Sequence, residues 1–413
     1  MKLIIADHTL INYQGHSFAY CDSIKTEAEN IGWKVVVLGT QNISSEVQNK
    51  LSAIPHFKFD FFHAFPEPYF IKILPEHFRN EFYPRWNAYQ RNKMLAKEME
   101  TMLRQCSTDE ETILLFPNFT YTDLIGIIKT ADLIKYFPKL RIAAIQHFTS
   151  KPNLNSAYFP NPFYSRCFKT LEESKFKTKI HFFTDSTELA KEYKAYTSSP
   201  FTVLPIPHTL DAPVIYPEKP SPLVIGYMGD ARINKGFHLL PEAFEIVNQV
   251  SRNQKIEFHI QSNVRNSNEW QASQAAQILR SMPNVKIYPN ALNEIEYRKL
   301  MNLIDIFVLP YTLDYYHSQT SGVFSEARTL GKVTVASRGT WMAHEVEKHR
   351  GGVLNNPEDP KSIGDALIKA IDNYSELKNE ALIAAKIWNN FHNINNYFKI
   401  FVDSIFHHNT IQN

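Results

Sequence analysis

The 413-residue chain has few glycines and cysteines, and no long apolar run. Its 13 glycines are roughly 3% of the chain, against about 7% in an average protein. The cysteines Cys21, Cys106 and Cys167 form no disulfide or metal-ligand pattern, as is typical of a reducing compartment. No stretch approaches the ~20 apolar residues of a membrane span, and the N-terminal apolar run ends at Asp7, too early for a signal peptide. These absences predict a cytoplasmic globular protein.

Strong charge and the common phosphate-binding motifs are also missing. A net charge of +2 is too small for the basic footprint of a nucleic-acid binder. The absence of Gly-x-Gly-x-x-Gly and Gly-Lys-Ser/Thr argues against dinucleotide and P-loop sites. Asp-x-Asp, a motif that holds a metal ion in some enzymes, is absent as well. We therefore expect neither a metal nor a cofactor.

Short apolar runs alternate with longer helical patterns, which indicates parallel sheets covered by helices. The pattern occurs twice, on either side of a proline-rich stretch. Strands are predicted at 2–6, 34–38, 112–116, 141–145, 179–183, 203–206, 223–228, 255–260, 284–288, 306–309 and 333–336.

This organisation predicts two doubly wound, Rossmann-like α/β domains that face each other across a cleft. An N-terminal domain would cover residues 1–212, and 213–222 would be the linker. A second domain would cover 223–384. Closing helices at 385–413 would pack back toward the N-terminal domain.

Two cations stand in the loop 226–236, between a predicted strand and a helix beginning near Phe237. Arg232 and Lys235 lie at the start of this helix, where the helix dipole disfavours positive charge. A bound diphosphate would offset that cost. The alternative is a surface loop with two solvated cations.

A second unusual loop, 315–327, follows the strand 306–309 and enters a helix. Ser321 is placed to cap the helix, and Glu326 in its second turn is placed to accept hydrogen bonds from ribose hydroxyls. The alternative is an ordinary cap followed by a glutamate favoured by the helix dipole. Three backbone amides of the first turn would face an anion, those of Gly322, Val323 and Phe324.

The chain resembles the donor domain of family-4 retaining glycosyltransferases (glycosyl transferases group 1). The resemblance lies in the order and spacing of three segments, which are Gly229, Arg232 and Lys235-Gly236, then residues 321–327, then residues 331–337. The likeness covers residues 200–355 and implies the two-domain GT-B fold. It also implies that 1–212 is the acceptor-side domain and that 223–384 is the nucleotide-sugar-binding domain. In that family the Arg, the Lys and the helix amides bind the donor diphosphate, and a glutamate at the position of Glu326 binds the ribose. The resemblance makes Arg232 and Lys235 candidate catalytic residues.

One position departs from the family pattern. Its signature has two glutamates separated by seven residues, and Ser318 stands where the first, which touches the transferred sugar, is expected. Serine can form a hydrogen bond there but carries no charge. Asp314, Tyr316 and His317 are therefore candidates to share this contact, and the donor sugar stays open.

The N-terminal half resembles the same family at fewer positions. Gly15 and His16 resemble the glycine loop that approaches the donor phosphate or the acceptor. His147, directly after the strand 141–145, resembles the histidine that contacts the transferred sugar, and it is our third candidate catalytic residue. A lone histidine at a strand end is otherwise more often structural.

The segment from Pro55 to Arg91 is rich in aromatic and basic residues and matches no motif. Such a surface can rest on a membrane and reach a lipid-linked acceptor. A locally packed insertion is the alternative.

Taken with the resemblance, these features indicate a metal-independent retaining glycosyltransferase, hexosyltransferase-like, acting in polysaccharide or glycolipid biosynthesis. Its partners would be a nucleotide-diphosphate sugar and a saccharide or lipid-linked acceptor, but no nucleic acid. It would be cytoplasmic, with peripheral contact at the inner membrane face through 55–91. Two alternatives are a nucleotide-sugar epimerase on the same fold and a non-catalytic nucleotide-sugar-binding protein.

Overall fold

The computed structural model describes residues 1–13, 16–60, 63–105, 109–150, 161–207, 221–250, 255–264 and 269–406. The chain forms two compact units, Met1–His208 with Asn393–Asn413, and Thr209–His392. Most of the predicted linker 213–222 lies outside the described residues, as do Gly15 and Cys106.

In the described part of the first unit, seven parallel strands form one sheet in the order β3-β2-β1-β4-β5-β6-β7. The strands are β1 (Lys2–Ala6), β2 (Lys34–Thr40), β3 (Ile54–Phe57), β4 (Thr112–Phe116), β5 (Leu140–Gln146), β6 (Ile180–Thr184) and β7 (Phe201–Val203). The connecting helices are α1 (His16–Asn30), α2 (Ser45–Leu51), α3 (Tyr69–Lys72), α4 (Glu76–Leu103), α5 (Tyr121–Ala131), α6 (Asn161–Glu172) and α7 (Thr187–Tyr193).

In the described part of the second unit, six parallel strands form a sheet in the order β10-β9-β8-β11-β12-β13. They are β8 (Leu223–Tyr227), β9 (Ile256–Gln261), β10 (Val285–Tyr288), β11 (Ile306–Leu309), β12 (Val333–Ser337) and β13 (Gly352–Asn355). Its helices are α8 (Leu240–Val250), α9 (Trp270–Ser281), α10 (Glu294–Leu303), α11 (Leu313–Tyr316), α12 (Gly322–Thr329), α13 (Trp341–His349), α14 (Pro360–Asp372) and α15 (Tyr374–Phe391).

The last described helix, α16 (Ile394–Phe406), belongs to the first unit. Its buried residues Tyr397, Phe398 and Phe401 join one of the two hydrophobic clusters that cover that sheet. The helix before it, α15, continues through residue 385, where the sequence places the start of the closing helices.

Strand order reverses beside the first strand of each sheet, between β1 and β4 and between β8 and β11. Open α/β sheets bind ligands outside the carboxyl ends of their strands at such a switch point. The loop 226–236 follows β8, and the loop 315–327 lies beyond β11. Both unusual loops of the second unit therefore sit at its topological switch point.

Most predicted strands agree with the structure, and the three exceptions have local causes. The sequence placed a strand at 203–206, but β7 ends at Val203, because Pro205 and Pro207 have no N–H to donate. The sequence analysis missed β3, an edge strand that contains Pro55. It also missed β13, which has only four residues and begins at Gly352.

Candidate functional site

The loop after β8 contains two short 3-10 turns, Ile233–Lys235 and Phe237–Leu239, and α8 begins only at Leu240. The sequence had predicted one helix from about Phe237. Gly236 joins the turns with a left-handed φ of 67°. A Cβ atom at this position would lie 2.0 Å from the carbonyl oxygen of Pro310, so the loop requires glycine.

Lys235 is directed back toward the end of β8. Its Nζ lies 5.4 Å from the centre of the Tyr311 ring. A Cβ atom on Gly229, whose φ is 100°, would lie 3.1 Å from Lys235 Nζ and 3.8 Å from Cγ2 of Val323. The bare backbone of Gly229 thus meets the lysine of the first loop and the first turn of α12. The structure brings the two predicted loops together at this point.

Arg232 forms an ion pair that the sequence analysis did not predict. Its Nη2 lies 3.0 Å from Oδ2 of Asp230, and 45% of its side chain is exposed. Asp230 also accepts a hydrogen bond from Asn263 Nδ2 at 3.1 Å, which orients the carboxylate. A guanidinium has five N–H donors, so this pair orients Arg232 without using up its capacity to bind an anion.

The N-terminus of α12 is capped as predicted, because Ser321 Oγ accepts a hydrogen bond from Phe324 N at 3.3 Å. This bond engages the Phe324 amide, which the sequence analysis had assigned to the anion. The amides of Gly322 and Val323 belong to the first turn, whose N–H groups have no acceptor within the helix. They can bind an anion together with Lys235.

Glu326 lies in the second turn of α12 and is partly buried. Its Oε2 accepts a hydrogen bond from the hydroxyl of Tyr297 on α10. Burial raises the pKa of Glu326 to about 7, although Tyr297 and the charge of Arg298 lower it. The Glu326 carboxylate thus titrates near neutral pH. It lies on the same helix as the amides of Gly322 and Val323, within two turns of the cap at Ser321.

Ser318 follows α11 and is almost completely buried, with 1% of its surface exposed. Two of the neighbours considered for the same contact, Asp314 and His317, are partly buried, and Tyr316 is buried. His317 Nδ1 lies 3.0 Å from the carbonyl oxygen of Leu313.

In the first unit, His147 follows β5, and both of its ring nitrogens are engaged. Nδ1 lies 2.8 Å from Oδ2 of Asp185, and Nε2 lies 3.0 Å from the carbonyl oxygen of Pro117. Burial opposes protonation, but Asp185 and Pro117 together raise the pKa of His147 above its usual value. Both partners are acceptors, so the geometry fits an imidazolium that donates two hydrogen bonds and leaves no nitrogen to act as a general base.

The glycine loop of the first unit is only partly described. Gly15 lies outside the described residues. His16 is the first residue of α1, and its backbone alone is described.

The sequence analysis did not single out three residues that contact the candidate side chains, Asp230, Tyr297 and Asp185. Asp185 directly follows β6, and Asp230 stands three residues after β8; this position was a signal that could have identified them. Tyr297 lies within a helix, where no local pattern distinguishes it from a packing residue. Among the described residues, no group of three or more His, Cys, Asp or Glu side chains is arranged to hold a metal ion.

Comparison with known protein families gave a match in the second unit. Residues 222–373 match the family model described as glycosyl transferases group 1. No curated protein sequence matches the chain.

Solved structures of similar fold span the whole chain. A glycosyltransferase from Rickettsia africae is 9% identical with a TM-score of 0.65, and the alignment covers 100% of this chain and 99% of that one. Anabaena HepE in complex with UDP is 12% identical with a TM-score of 0.67, covering 98% and 99%. Sucrose-phosphate synthase from Thermosynechococcus elongatus is 12% identical with a TM-score of 0.65, covering 98% and 97%. The predicted GT-B fold of two Rossmann-like domains is confirmed.

Proposed function

We propose that the chain, whose residues 222–373 match the family model for glycosyl transferases group 1, is a metal-independent retaining glycosyltransferase. It would be a hexosyltransferase-like enzyme, which transfers a sugar from a nucleotide-diphosphate sugar to a saccharide or lipid-linked acceptor. The reaction would belong to polysaccharide or glycolipid biosynthesis. The observation that carries the proposal is the meeting of Lys235, the Gly229 backbone and the N-terminus of α12. The UDP bound by the similar Anabaena HepE structure supports a nucleoside diphosphate as the ligand.

The proposed chemistry is electrostatic. As the bond to the sugar breaks, the departing nucleoside diphosphate gains negative charge. Lys235, Arg232 and the amides of Gly322 and Val323 are cationic or partly positive groups held in place before the reaction, so they stabilise this charge without reorganising. No metal ion is required for that step.

The remaining predicted site residues are assigned by the family resemblance. Glu326 would bind the ribose, and Ser318 the transferred sugar. By the same resemblance, His147 would contact the transferred sugar, although Asp185 and Pro117 already engage both of its ring nitrogens. Gly15 and His16 would approach the donor phosphate or the acceptor.

Calorimetric titration with UDP and GDP in EDTA tests this proposal. We expect micromolar binding of one nucleotide without a metal, and loss of that binding in Glu326→Ala. Incubation of the matching nucleotide sugars with and without acceptor then separates the alternatives. An epimerase changes the donor sugar without acceptor, and a binding protein changes nothing. If neither nucleotide binds to folded protein, the proposal is wrong.

We further propose peripheral membrane contact by the α3–α4 apolar surface, defined as Tyr69, Phe70, Ile73, Phe78 and Phe82. These side chains are 79%, 60%, 63%, 44% and 45% exposed. Exposed apolar patches of this kind mark interaction sites. No helix in the described residues is long and apolar enough to cross a membrane.

Two contacts join α4 to the segment that precedes α3. Arg79 pairs with Glu67 at 2.9 Å, and the Tyr83 hydroxyl donates to the carbonyl oxygen of Phe65 at 2.8 Å. Arg91, which the sequence analysis included in the basic segment, is buried against Asp123 and is not available to a lipid headgroup. The exposed aromatic side chains of α3 and α4 support insertion into a membrane interface.

Replacing Phe70 and Ile73 together with serine is expected to reduce binding to phosphatidylcholine–phosphatidylglycerol vesicles about tenfold or more, since each buried apolar side chain contributes about 1.5–3 kcal/mol. Vesicle cosedimentation measures this change. Ile383→Ser is the matched control, because Ile383 on α15 is equally exposed, at 61%. Equal vesicle binding by both variants would rule out the α3–α4 apolar surface as the contact.

A further inference from the structure

Tyr297 is held on a helix whose start is fixed. Asn293 caps α10, since its Oδ1 accepts from Glu296 N at 3.0 Å and Glu296 Oε2 accepts from Asn293 N at 3.2 Å. This capping box places Tyr297 one turn into the helix. From there the hydroxyl reaches across to Glu326 Oε2 on α12.

The Tyr297 hydroxyl is a permanent donor to Glu326. Burial, and then the charge of Glu326, raise the pKa of Tyr297 well above its usual value, so the hydroxyl keeps its proton at any working pH. Its hydrogen bond favours the ionised form of Glu326, against the burial that disfavours it.

Few other charged groups act on Glu326. Arg298, beside Tyr297 on α10, lowers the pKa of Glu326 and also pairs with Glu294 at 3.1 Å. Arg328, on α12 itself, donates to the carbonyl oxygens of Arg350 and Glu345.

The other elements packed against α12 direct their charges elsewhere. From α15, Lys378 donates to the carbonyl oxygen of Gly331, and Glu380 accepts from Gly351 N. Asp305 and Lys332 lie at the N-terminal ends of β11 and β12, away from the site. Asp305 accepts a hydrogen bond from Val224 N, and Lys332 donates one to the carbonyl oxygen of Asn302. Each of these charges has a partner away from Glu326.

We propose that Tyr297 is a positioning residue of the donor site, which holds Glu326 as an acceptor for the ribose 2′ and 3′ hydroxyls and so makes the site prefer ribonucleotides to 2′-deoxyribonucleotides. This inference rests on the proposed role of Glu326 as the ribose ligand. An ionised carboxylate has about four acceptor positions on its two oxygens. Tyr297 occupies one of them on Oε2 and leaves enough for both ribose hydroxyls.

Protonation of Glu326 would turn one of these acceptors into a donor. Ribose hydroxyls would then lose a partner, and the preference for ribose would weaken. The Tyr297 hydroxyl favours the ionised carboxylate, so its removal should raise the pKa of Glu326. The effect on ribose binding should therefore be largest at low pH, where more of Glu326 is protonated.

The test is calorimetric binding of UDP and GDP and of their 2′-deoxy forms, between pH 6.5 and 9, to wild type and to Tyr297→Phe. We expect the variant to bind the preferred ribonucleotide about tenfold more weakly at pH 6.5, as for loss of a hydrogen bond to a charged group. The loss should shrink toward pH 9, where Glu326 ionises without help. Binding of the 2′-deoxy form should change much less. At each pH the affinity of the variant is divided by that of wild type, so the effect of the diphosphate's own titration cancels.

Two further variants interpret the result. Tyr374→Phe is the matched control, because Tyr374 also donates to a carboxylate, that of the buried Asp305, whose Oδ1 lies 3.4 Å from the hydroxyl. Asp305 precedes β11 and so lies at the edge of the sheet opposite the site. This variant should bind both nucleotide forms as wild type does. Glu326→Gln should lose the preference for ribose at every pH.

Three outcomes overturn the inference. If Tyr297→Phe weakened the binding of the ribonucleotide and of its 2′-deoxy form equally, and by the same factor at every pH, Tyr297 would have only a structural role. Unaltered affinity would show no role. If wild type binds neither UDP nor GDP, the proposed function fails first, and the ribose assignment fails with it.

Discussion

Replacing Lys235 with alanine is expected to lower the rate of sugar transfer about a hundredfold, and to weaken nucleoside diphosphate binding about tenfold. The larger effect on the rate follows from the growth of negative charge on the diphosphate as the sugar leaves. Lys235 Nζ is directed to the Gly229 backbone and the first turn of α12, where the diphosphate is proposed to lie. Steady-state kinetics and calorimetry measure the two losses.

Lys361→Ala is the matched control for this substitution. Lys361 belongs to the same unit, is exposed, and pairs with Asp365 on the surface of α14 at 2.9 Å. Removing its charge should leave both rate and affinity unchanged. If the two alanine variants behave alike, Lys235 does not act on the donor.

Gly236→Ala is expected to destabilise the fold by on the order of 3 kcal/mol and to abolish nucleotide binding. The new Cβ would stand 2.0 Å from the Pro310 carbonyl oxygen, a backbone atom that cannot move aside alone. Overpacking of this kind costs about 1–3 kcal/mol, and a left-handed φ at a residue with a side chain costs about 1–2 kcal/mol more. Since Gly236 follows Lys235 directly, any relief of the clash displaces the lysine.

Gly32→Ala separates the two costs. Gly32 also has a left-handed φ, of 81°, but a Cβ there would meet no atom within 4 Å. The variant should lose only the roughly 1–2 kcal/mol of backbone strain and bind nucleotide normally. Urea unfolding and calorimetry of both variants provide the comparison. Equal destabilisation would mean that the Pro310 contact does not constrain the loop.

The general architecture could be predicted because it depends on short-range patterns. Buried parallel strands are apolar runs of four to seven residues, and the helices between them show their own period. The strands that were missed or misplaced, β3, β7 and β13, are short or next to proline, where the same patterns are weak.

The candidate site could be predicted in part. The cap at Ser321 is a local interaction, and it was found because capping residues follow a known spacing. The roles assigned to Arg232, Lys235, Glu326 and His147 stay predictions until the variants are measured. The engagement of the Phe324 amide by its own cap was not expected, although it follows from the same capping geometry.

The amino-acid sequence by itself determined two α/β domains and the two loops at strand ends where an anion can bind. Tertiary structure alone decided which side chains meet there. Tyr297 and Glu326 are 29 positions apart, and His147 and Asp185 are 38 apart. Contacts over such distances depend on how helices and strands pack together, and no periodicity in the chain encodes them. Packing also decided that Gly229 lies between the two loops, where a Cβ atom would stand 3.1 Å from Lys235 Nζ and push the lysine aside.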